Sequence, residues 1–389
     1  MAALACPRYA EDVHASDADE TRARRYHRRQ FALTLVDLAL GVILLAWWSW
    51  SGAAVRLAAL LEARIGAHAA VVAGMALAVG ASQVLLTFPL DVLAGFLLPR
   101  RAGLLTQGFG SWLGDRAKAL LIGGGLGLGA IEIIFGLLRW SPDRWWLWAS
   151  GVLAAGLVLL AAALPRWLIP LFYKLTPLDD PLLRERILAL AARMGVRAAA
   201  VVVADFSRKG RTANAAGVGL GRTRRILVSD TLLREFPADE VEVVLAHELG
   251  HHARRHVPQG LVVQSLLLVG TLWAADQALR ASAGRLDLTG PGDPAGLPLL
   301  VLVLTALGLL TTPVVAAWSR RLEREADRVA LEVSGTPDAF VAAMERLGQL
   351  NLAERRPGRL RELLFATHPS LEARIAAGRA AAARLAAAG

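Results

Sequence analysis

Six apolar stretches constrain this chain more than any other feature: about Phe31 to Trp50, His68 to Leu90, Leu120 to Leu138, Trp145 to Leu164, Val257 to Leu279 and Leu297 to Trp318. Each is close to the roughly 20 residues that a helix needs to cross a hydrocarbon core about 30 Å thick. One such run could be a buried core helix, but a soluble chain of 389 residues has too little interior to hide six. The expected fold class is therefore mainly α: a polytopic α-helical membrane protein of about six spans.

A formal net charge of +10 would suit a nucleic-acid partner, yet the positions of the cations tie it to topology instead. Arg22, Arg24, Arg25, Arg28 and Arg29 precede the first span, and Arg100, Arg101, Arg116 and Lys118 separate the second from the third. The alternate loops carry only Arg56 and Arg64, Arg139 and Arg144, and Arg280 and Arg285. This bias puts both termini in the cytoplasm, together with residues 166–256 and 319–389. The expected partners are a lipid bilayer and no nucleic acid. Cys6, the only cysteine, excludes a disulfide framework and a multi-cysteine metal site. No cationic segment followed by an apolar one opens the chain, so the first span is expected to serve as the insertion signal. Only Lys118, Lys174 and Lys209 among the 43 cationic residues are lysines, a usage that points to a high-GC prokaryotic genome and hence to an inner membrane.

Five regions follow: a polar tail (1–30) with the pattern of a mobile segment, a four-span region (31–178), a first soluble part (179–256), a two-span region (257–318) and a second soluble part (319–389). Within the first soluble part, Leu182 to Met194 has helical periodicity, and Ala198 to Ala204 and Arg225 to Val228 read as short strands. Thr212 to Gly221, rich in small residues, reads as a loop or an edge strand. A helix is expected from Pro237, with Asp239, Glu240 and Glu242 at its positive end, interrupted near Pro258 before the fifth span. The sixth span is expected to continue as a helix to Gly335. Thr336 and Pro337 cap the next helix, and Ser370 the last.

His247, Glu248, Leu249, Gly250 and His251 spell H-E-x-x-H. On a helix, residues four apart share a face, so two imidazoles can reach one ion while Glu248 projects beside them. His252 and His256, in the same run, read as a solvated face. A third ligand must come from elsewhere, and topology offers the segment Arg320 to Asp327. Glu323 and Asp327 lie four apart, so one can bind metal while the other accepts an N–H from a ligating His, but on spacing alone a surface helix laced by ion pairs is the favoured reading.

Four blocks resemble the integral-membrane CAAX prenyl protease family of zinc metallopeptidases, and less closely the shorter membrane heat-shock protease of the same clan. His247 to His251 resembles the family's metal helix. Ser319 to Asp327 resembles its S-R-x-x-E-x-x-A-D element, which implies that Glu323 is the third metal ligand, although Arg324 stands where the family usually has an aromatic residue. Asn214 and Ala215, with Gly217, Gly219 and Gly221, resemble the edge segment along which an extended peptide lies. Thr367, His368, Pro369 and Arg374 resemble a C-terminal element that stabilises the tetrahedral intermediate.

The resemblance implies a cytoplasmic gluzincin-like metalloprotease domain containing a small β-sheet, with one Zn²⁺ per chain. Its metal ligands are His247, His251 and Glu323, its catalytic residues Glu248, His368, Arg374 and Asp327, and its substrate-binding residues Asn214 and Ala215. Glu248 takes a proton from the attacking water, and the substrate is a membrane-associated peptide or protein. Asp37, Asp91, Glu132 and Asp276, inside or at the ends of spans, suggest a hydrated chamber. The alternatives are a quality-control protease of the heat-shock type and a catalytically silent membrane scaffold with a structural zinc site.

Overall fold

The computed structural model describes residues 17–196 and 200–388. Helix α1 (Asp17–Trp50) begins well before the first apolar stretch, so the expected polar tail is helical from residue 17. An i,i+4 pair between Glu20 and Arg24, 2.6 Å apart, supports that extension. The earlier part of the tail, with Cys6, lies outside the described residues.

Helix α2 (Ala53–Ile65) is flanked by Gly52 and Gly66, whose φ of 71° and 74° lets the chain reverse at both ends. Helix α3 (His68–Val92) runs through one wide π turn, Leu93–Leu97, into α4 (Leu98–Arg101) without a break. Helices α5 (Phe109–Trp140) and α6 (Trp145–Ala163) complete this half. Helix α5 starts eleven residues before the expected span because Asp115 anchors its polar first turns to Lys118 and Lys209 at 2.8 and 2.7 Å.

The soluble part is built on four short strands, β1 (Leu175–Pro177), β2 (Val201–Ala204), β3 (Ala215–Val218) and β4 (Arg225–Ser229), in the spatial order β1-β2-β4-β3. Strands β2 and β4 are parallel; β1 and β3 are antiparallel to their neighbours, which leaves β3 as an edge strand. Helix α7 (Pro181–Arg193), capped by the Asp180 carboxylate at 3.0 Å from the Leu183 N–H, links β1 to β2. Helix α8 (Asp230–Glu235) leads to α9 (Ala238–Ala253), the helix bearing the H-E-x-x-H motif. Its break comes at Arg254 and Arg255, earlier than Pro258, which instead sits in the first turn of α10 (His256–Ser282). Arg255 adopts the left-handed conformation there, with φ 56°.

Helix α11 (Leu297–Ser334) runs 38 residues from the membrane region to the site and stops at Gly335 in the left-handed conformation. Helices α12 (Pro337–Leu350), α13 (Arg359–Phe365) and α14 (Leu371–Ala388) close the chain.

Two cores result. One lies under the sheet and includes Ile187, Leu190, Val228, Leu245, Leu249 and Phe340; the other joins the spans through Met75, Phe135, Leu138, Trp145 and Leu272. Among the described residues, six helices are long and apolar enough to cross a membrane, and Leu85, Leu121, Leu159 and Leu310 face outward from them, as contact with lipid requires. Of the ionisable residues near the spans, Asp91 pairs with Arg116. Asp276 accepts from Trp145 Nε1 at 2.7 Å and from Arg280 Nε at 2.9 Å. Asp37, with Gln83 and Thr305, lines a cavity of about 350 Å³ among α1, α3 and α11.

Candidate metal centre and substrate cleft

Helices α9 and α11 pack closely where Gly250 faces Ala326: a Cβ on Gly250 would stand in van der Waals contact with Ala326 Cα at 3.4 Å. That approach brings the motif against the carboxylates of α11. Ligand atoms of His247, His251 and Glu323 all lie within 4.8 Å of one another. Nε2 of His247 and Nε2 of His251 are 3.2 Å apart, and they stand 3.3 and 3.5 Å from the two oxygens of Glu323. Two imidazole nitrogens and a carboxylate make the donor set of a catalytic zinc site. Glu323 Oε2 is buried with no hydrogen-bond donor of its own, the condition of a ligand atom that awaits a cation. These residues fit a metal ion.

Asp327, one turn beyond Glu323, accepts from Nδ1 of His247 at 2.8 Å and so turns Nε2 toward the cluster. Arg374, from α14, donates to both Asp327 oxygens, at 2.6 and 2.9 Å, and its Nη2 lies 3.3 Å from His247 Nδ1. Burial alone would lower the His247 pKa, but the hydrogen bond to Asp327 and the Glu323 carboxylate 3.3 Å from Nε2 outweigh it and raise it to about 9. His251 is driven the other way, to about 4, by burial and by its positive neighbour His247. Without metal, the pair therefore carries a single positive charge at neutral pH, on His247.

His252 and His256, read from the sequence as a solvated face, are both buried. The sheet and α11 cover the side of α9 that local polarity marked as exposed. His256 Nδ1 lies 3.0 Å from His251 Nδ1, and its Nε2 lies 3.5 Å from Glu325 Oε2, so it does for the second imidazole what Asp327 does for the first. Its spacing of five from His251 was the available signal. His252 packs under β3: a Cβ on Gly217 would fall 2.3 Å from His252 Nε2. Only glycine lets β3 approach so closely, and the Gly217 N–H then donates to Glu248 Oε2 at 3.1 Å. Burial raises the Glu248 pKa, which suits a proton acceptor.

Asn214 bonds toward β4, its N–H to Ser229 Oγ and its C=O from the Ser229 N–H, both at 2.9 Å. By antiparallel alternation, the main-chain groups of Ala215 and Gly217 point to the open edge. Asn351, which sequence reasoning missed, fixes the start of this edge with its side-chain amide, paired to the N–H and C=O of Ala213 at 3.0 Å each.

Asn214, Ala215, His247, Glu248, His368 and Arg374 line one cavity of about 350 Å³. His368 is exposed, with Nε2 3.5 Å from Glu323 Oε1. The buried Arg320 guanidinium holds its segment by donating to the carbonyls of Glu362, Leu363 and Ala366 at 2.8, 3.2 and 2.6 Å, closing the end of α13. Arg324 is exposed and turns away from the site, so the departure at that position does not touch the ligands.

A membrane-spanning helical body that carries a His-His-Glu group, a buried carboxylate beside it and an open strand edge across a cleft defines a membrane metallopeptidase. Residues 177–382, more than half of the chain, match peptidase family M48, and residues 5–174 match the segment described as "CAAX prenyl protease N-terminal, five membrane helices". The chain belongs to peptidase family M48 and is a hydrolase acting on peptide bonds.

Where that description counts five membrane helices, the described residues show four long ones and the 13-residue α2. The uncharacterized metalloprotease YhfN of Bacillus subtilis (strain 168) is 27% identical over 329 residues, covering 84% of this chain and 77% of the relative. A CAAX prenyl protease 1 homolog of Dictyostelium discoideum is 29% identical over 265 residues, covering 66% of this chain and 62% of the relative. The crystal structure of S. mikatae Ste24p shares the fold, with a TM-score of 0.80 at 23% identity over 93% of this chain and 89% of that one.

Proposed function

We propose that the chain is a zinc-dependent endopeptidase of the CAAX prenyl protease type, cutting membrane-associated protein or peptide substrates near their C-termini. The observation that carries this reading is the convergence of His247, His251 and Glu323 beside Glu248, across the cleft from the open edge of β3. In this reading residues 179–256 and 319–389 form one protease domain on the cytoplasmic side of a prokaryotic inner membrane, interrupted by two spans.

His247, His251 and Glu323 would hold one Zn²⁺, which supplies Lewis acidity toward water and the scissile carbonyl. The substrate adds to β3 as an extended strand, hydrogen-bonded to the main chain of Ala215 and flanked by Asn214. Glu248 accepts a proton from the attacking water as its oxygen bonds to the carbonyl carbon, then returns that proton to the amine as the C–N bond breaks. His368 and Arg374 donate toward the oxygen on which charge develops, and Asp327 keeps His247 oriented.

The test is Glu248→Gln, assayed on prenylated and unprenylated C-terminal peptides. We expect one zinc per chain by elemental analysis and cleavage reduced by about 100- to 10,000-fold, the usual worth of a positioned base. Undiminished cleavage by this variant would refute the assignment.

A further inference from the structure

A second site lies away from the cleft, where α1 and α4 meet at the membrane boundary. On α1, Arg22, Arg25 and Arg29 follow one another at helical spacing, and Leu33 continues the stripe one turn on. Across from them, Leu93, Leu97 and Arg101 make the same transition in reverse along the π turn and α4. Both helices thus pass from leucine to arginine at one level, and two adjoining hollows record it. The first, about 270 Å³, is lined by Arg22, Arg25, Tyr26, Arg29 and Arg101; the second, about 290 Å³, by Leu33, Leu93 and Leu97. Arg29, Leu98 and Arg101 belong to both, so a cationic pocket opens directly into an apolar groove.

The frame of this pocket is fixed, and among the described residues its charge is not neutralised. Arg22 Nη2 donates to the Ala102 carbonyl at 2.7 Å, tying α1 to the end of α4. Glu20, on the same part of α1, is taken by Arg24. Among the described residues, no carboxylate forms an ion pair with Arg25, Arg29 or Arg101. The distribution of cations along the sequence explains why positive charge accumulates on this side of the membrane. It does not explain why four guanidinium groups from two helices should surround one hollow and a leucine groove should leave it. Guanidinium groups bind phosphate by paired N–H donors, and basic pockets between membrane helices suit phosphorylated headgroups.

We propose that this pocket and groove bind one anionic glycerophospholipid, its phosphate among Arg25, Arg29 and Arg101 and an acyl chain along Leu33, Leu93 and Leu97. Tyr26 lines the same hollow and would offer its hydroxyl to a phosphate or glycerol oxygen. Occupancy would pin the cytoplasmic ends of α1 and α4 together. The site is independent of the metal centre, so it stands or falls separately from the proteolytic reading.

The experiment is native mass spectrometry of the full chain in detergent, titrated with phosphatidylglycerol or phosphatidylcholine of identical acyl chains. A bound phosphatidylglycerol that phosphatidylcholine does not match is expected. Arg29→Gln with Arg101→Gln should weaken it by about 25-fold, at about fivefold per arginine near the phosphate. Leu33→Gln with Leu97→Gln should weaken it as well, while Arg56→Gln with Arg64→Gln, on the opposite side of the membrane, should not. Inorganic phosphate added at equal concentration should fail to displace the lipid, because it cannot fill the groove. Equal binding of the two lipids, undiminished binding by the Arg29/Arg101 variant, or displacement by free phosphate would each overturn the proposal.

Discussion

Replacing Asp327 with asparagine keeps the side chain's shape and tests whether its charge orients His247. Oδ1 now serves His247 Nδ1 at 2.8 Å and Arg374 Nη2 at 2.6 Å, while Oδ2 takes Arg374 Nε at 2.9 Å. An asparagine can leave its oxygen toward His247, but its amide N–H then confronts the Arg374 Nε–H, donor against donor. The reverse orientation satisfies Arg374 Nε and leaves the His247 N–H facing a donor. Either way at least one buried donor is unpaired, at a cost of about 1–3 kcal/mol each, and Arg374 loses its counter-ion.

If the asparagine turns toward Arg374, His247 is freed to rotate, and the loss appears as weaker metal binding. Partners at this position typically contribute about 10- to 100-fold in affinity, equivalent to about 1.4–2.7 kcal/mol. The assay is zinc affinity by chelator competition, with thermal unfolding of the metal-free protein alongside. Asp327→Asn should lose zinc affinity within that range and also lower the midpoint of metal-free unfolding. Wild-type affinity together with a lowered midpoint would refute the orienting role and leave Asp327 only a structural partner of Arg374.

Three further outcomes are expected. His256→Ala should lower zinc affinity by about tenfold and His256→Asn should restore part of it, since an asparagine oxygen can stand where Nδ1 accepts from His251; chelator competition reads both. Gly217→Ala should reduce peptide cleavage by at least about 10-fold with zinc content unchanged, because β3 must move off His252 and release the Glu248 carboxylate; metal analysis beside kinetics separates the effects. The proton on His247 gives a pH signature. Its folded pKa of about 9 lies above the unfolded value near 6.5, so its contribution to metal-free stability is complete below about pH 6.5 and lost as pH rises through about 9. Zinc must displace that proton, so apparent affinity should rise by about tenfold per pH unit between those limits, measurable by calorimetry in buffers of differing ionisation enthalpy.

The spans were legible because about 20 apolar residues leave a helix few alternatives in a bilayer. Their ends were not, since helices run on into polar sequence where ion pairs support them, as at Asp17 and Phe109. Strand β1 escaped detection because three residues ending in Pro177 carry no periodicity. In the site, H-E-x-x-H was local and therefore visible. Choosing Glu323 over Asp327 needed a family resemblance, because both lie on one face of one helix and only tertiary packing separates ligand from orienter. His252 and His256 were misjudged for a related reason: polarity in the run HHARRH predicts exposure, while Gly217 and Gly250 let a strand and a helix close over it. Asn351 is paired with Ala213 across 138 positions, beyond the reach of any sequence window.

In the proposed reading two spans interrupt the protease domain, and α11 runs from one of them to the site. At about 1.5 Å per residue, Glu323 lies roughly 39 Å along α11 from Leu297, against about 30 Å for a hydrocarbon core. A helix that enters the bilayer at Leu297 therefore delivers its carboxylate just beyond the far boundary, without a loop whose mobility would blur that height. Helix α9 reaches the same level from the other direction, through the two-residue break before α10. In the proposed reading the metal ligands are thus set by two membrane-anchored helices that pack together where Gly250 faces Ala326. On that proposal, substrates already held at the membrane surface are expected to be favoured, because for them the search for the cleft becomes two-dimensional. A soluble peptide of identical sequence should then be cut less efficiently than its lipid-anchored form, with the difference expressed in KM more than in kcat.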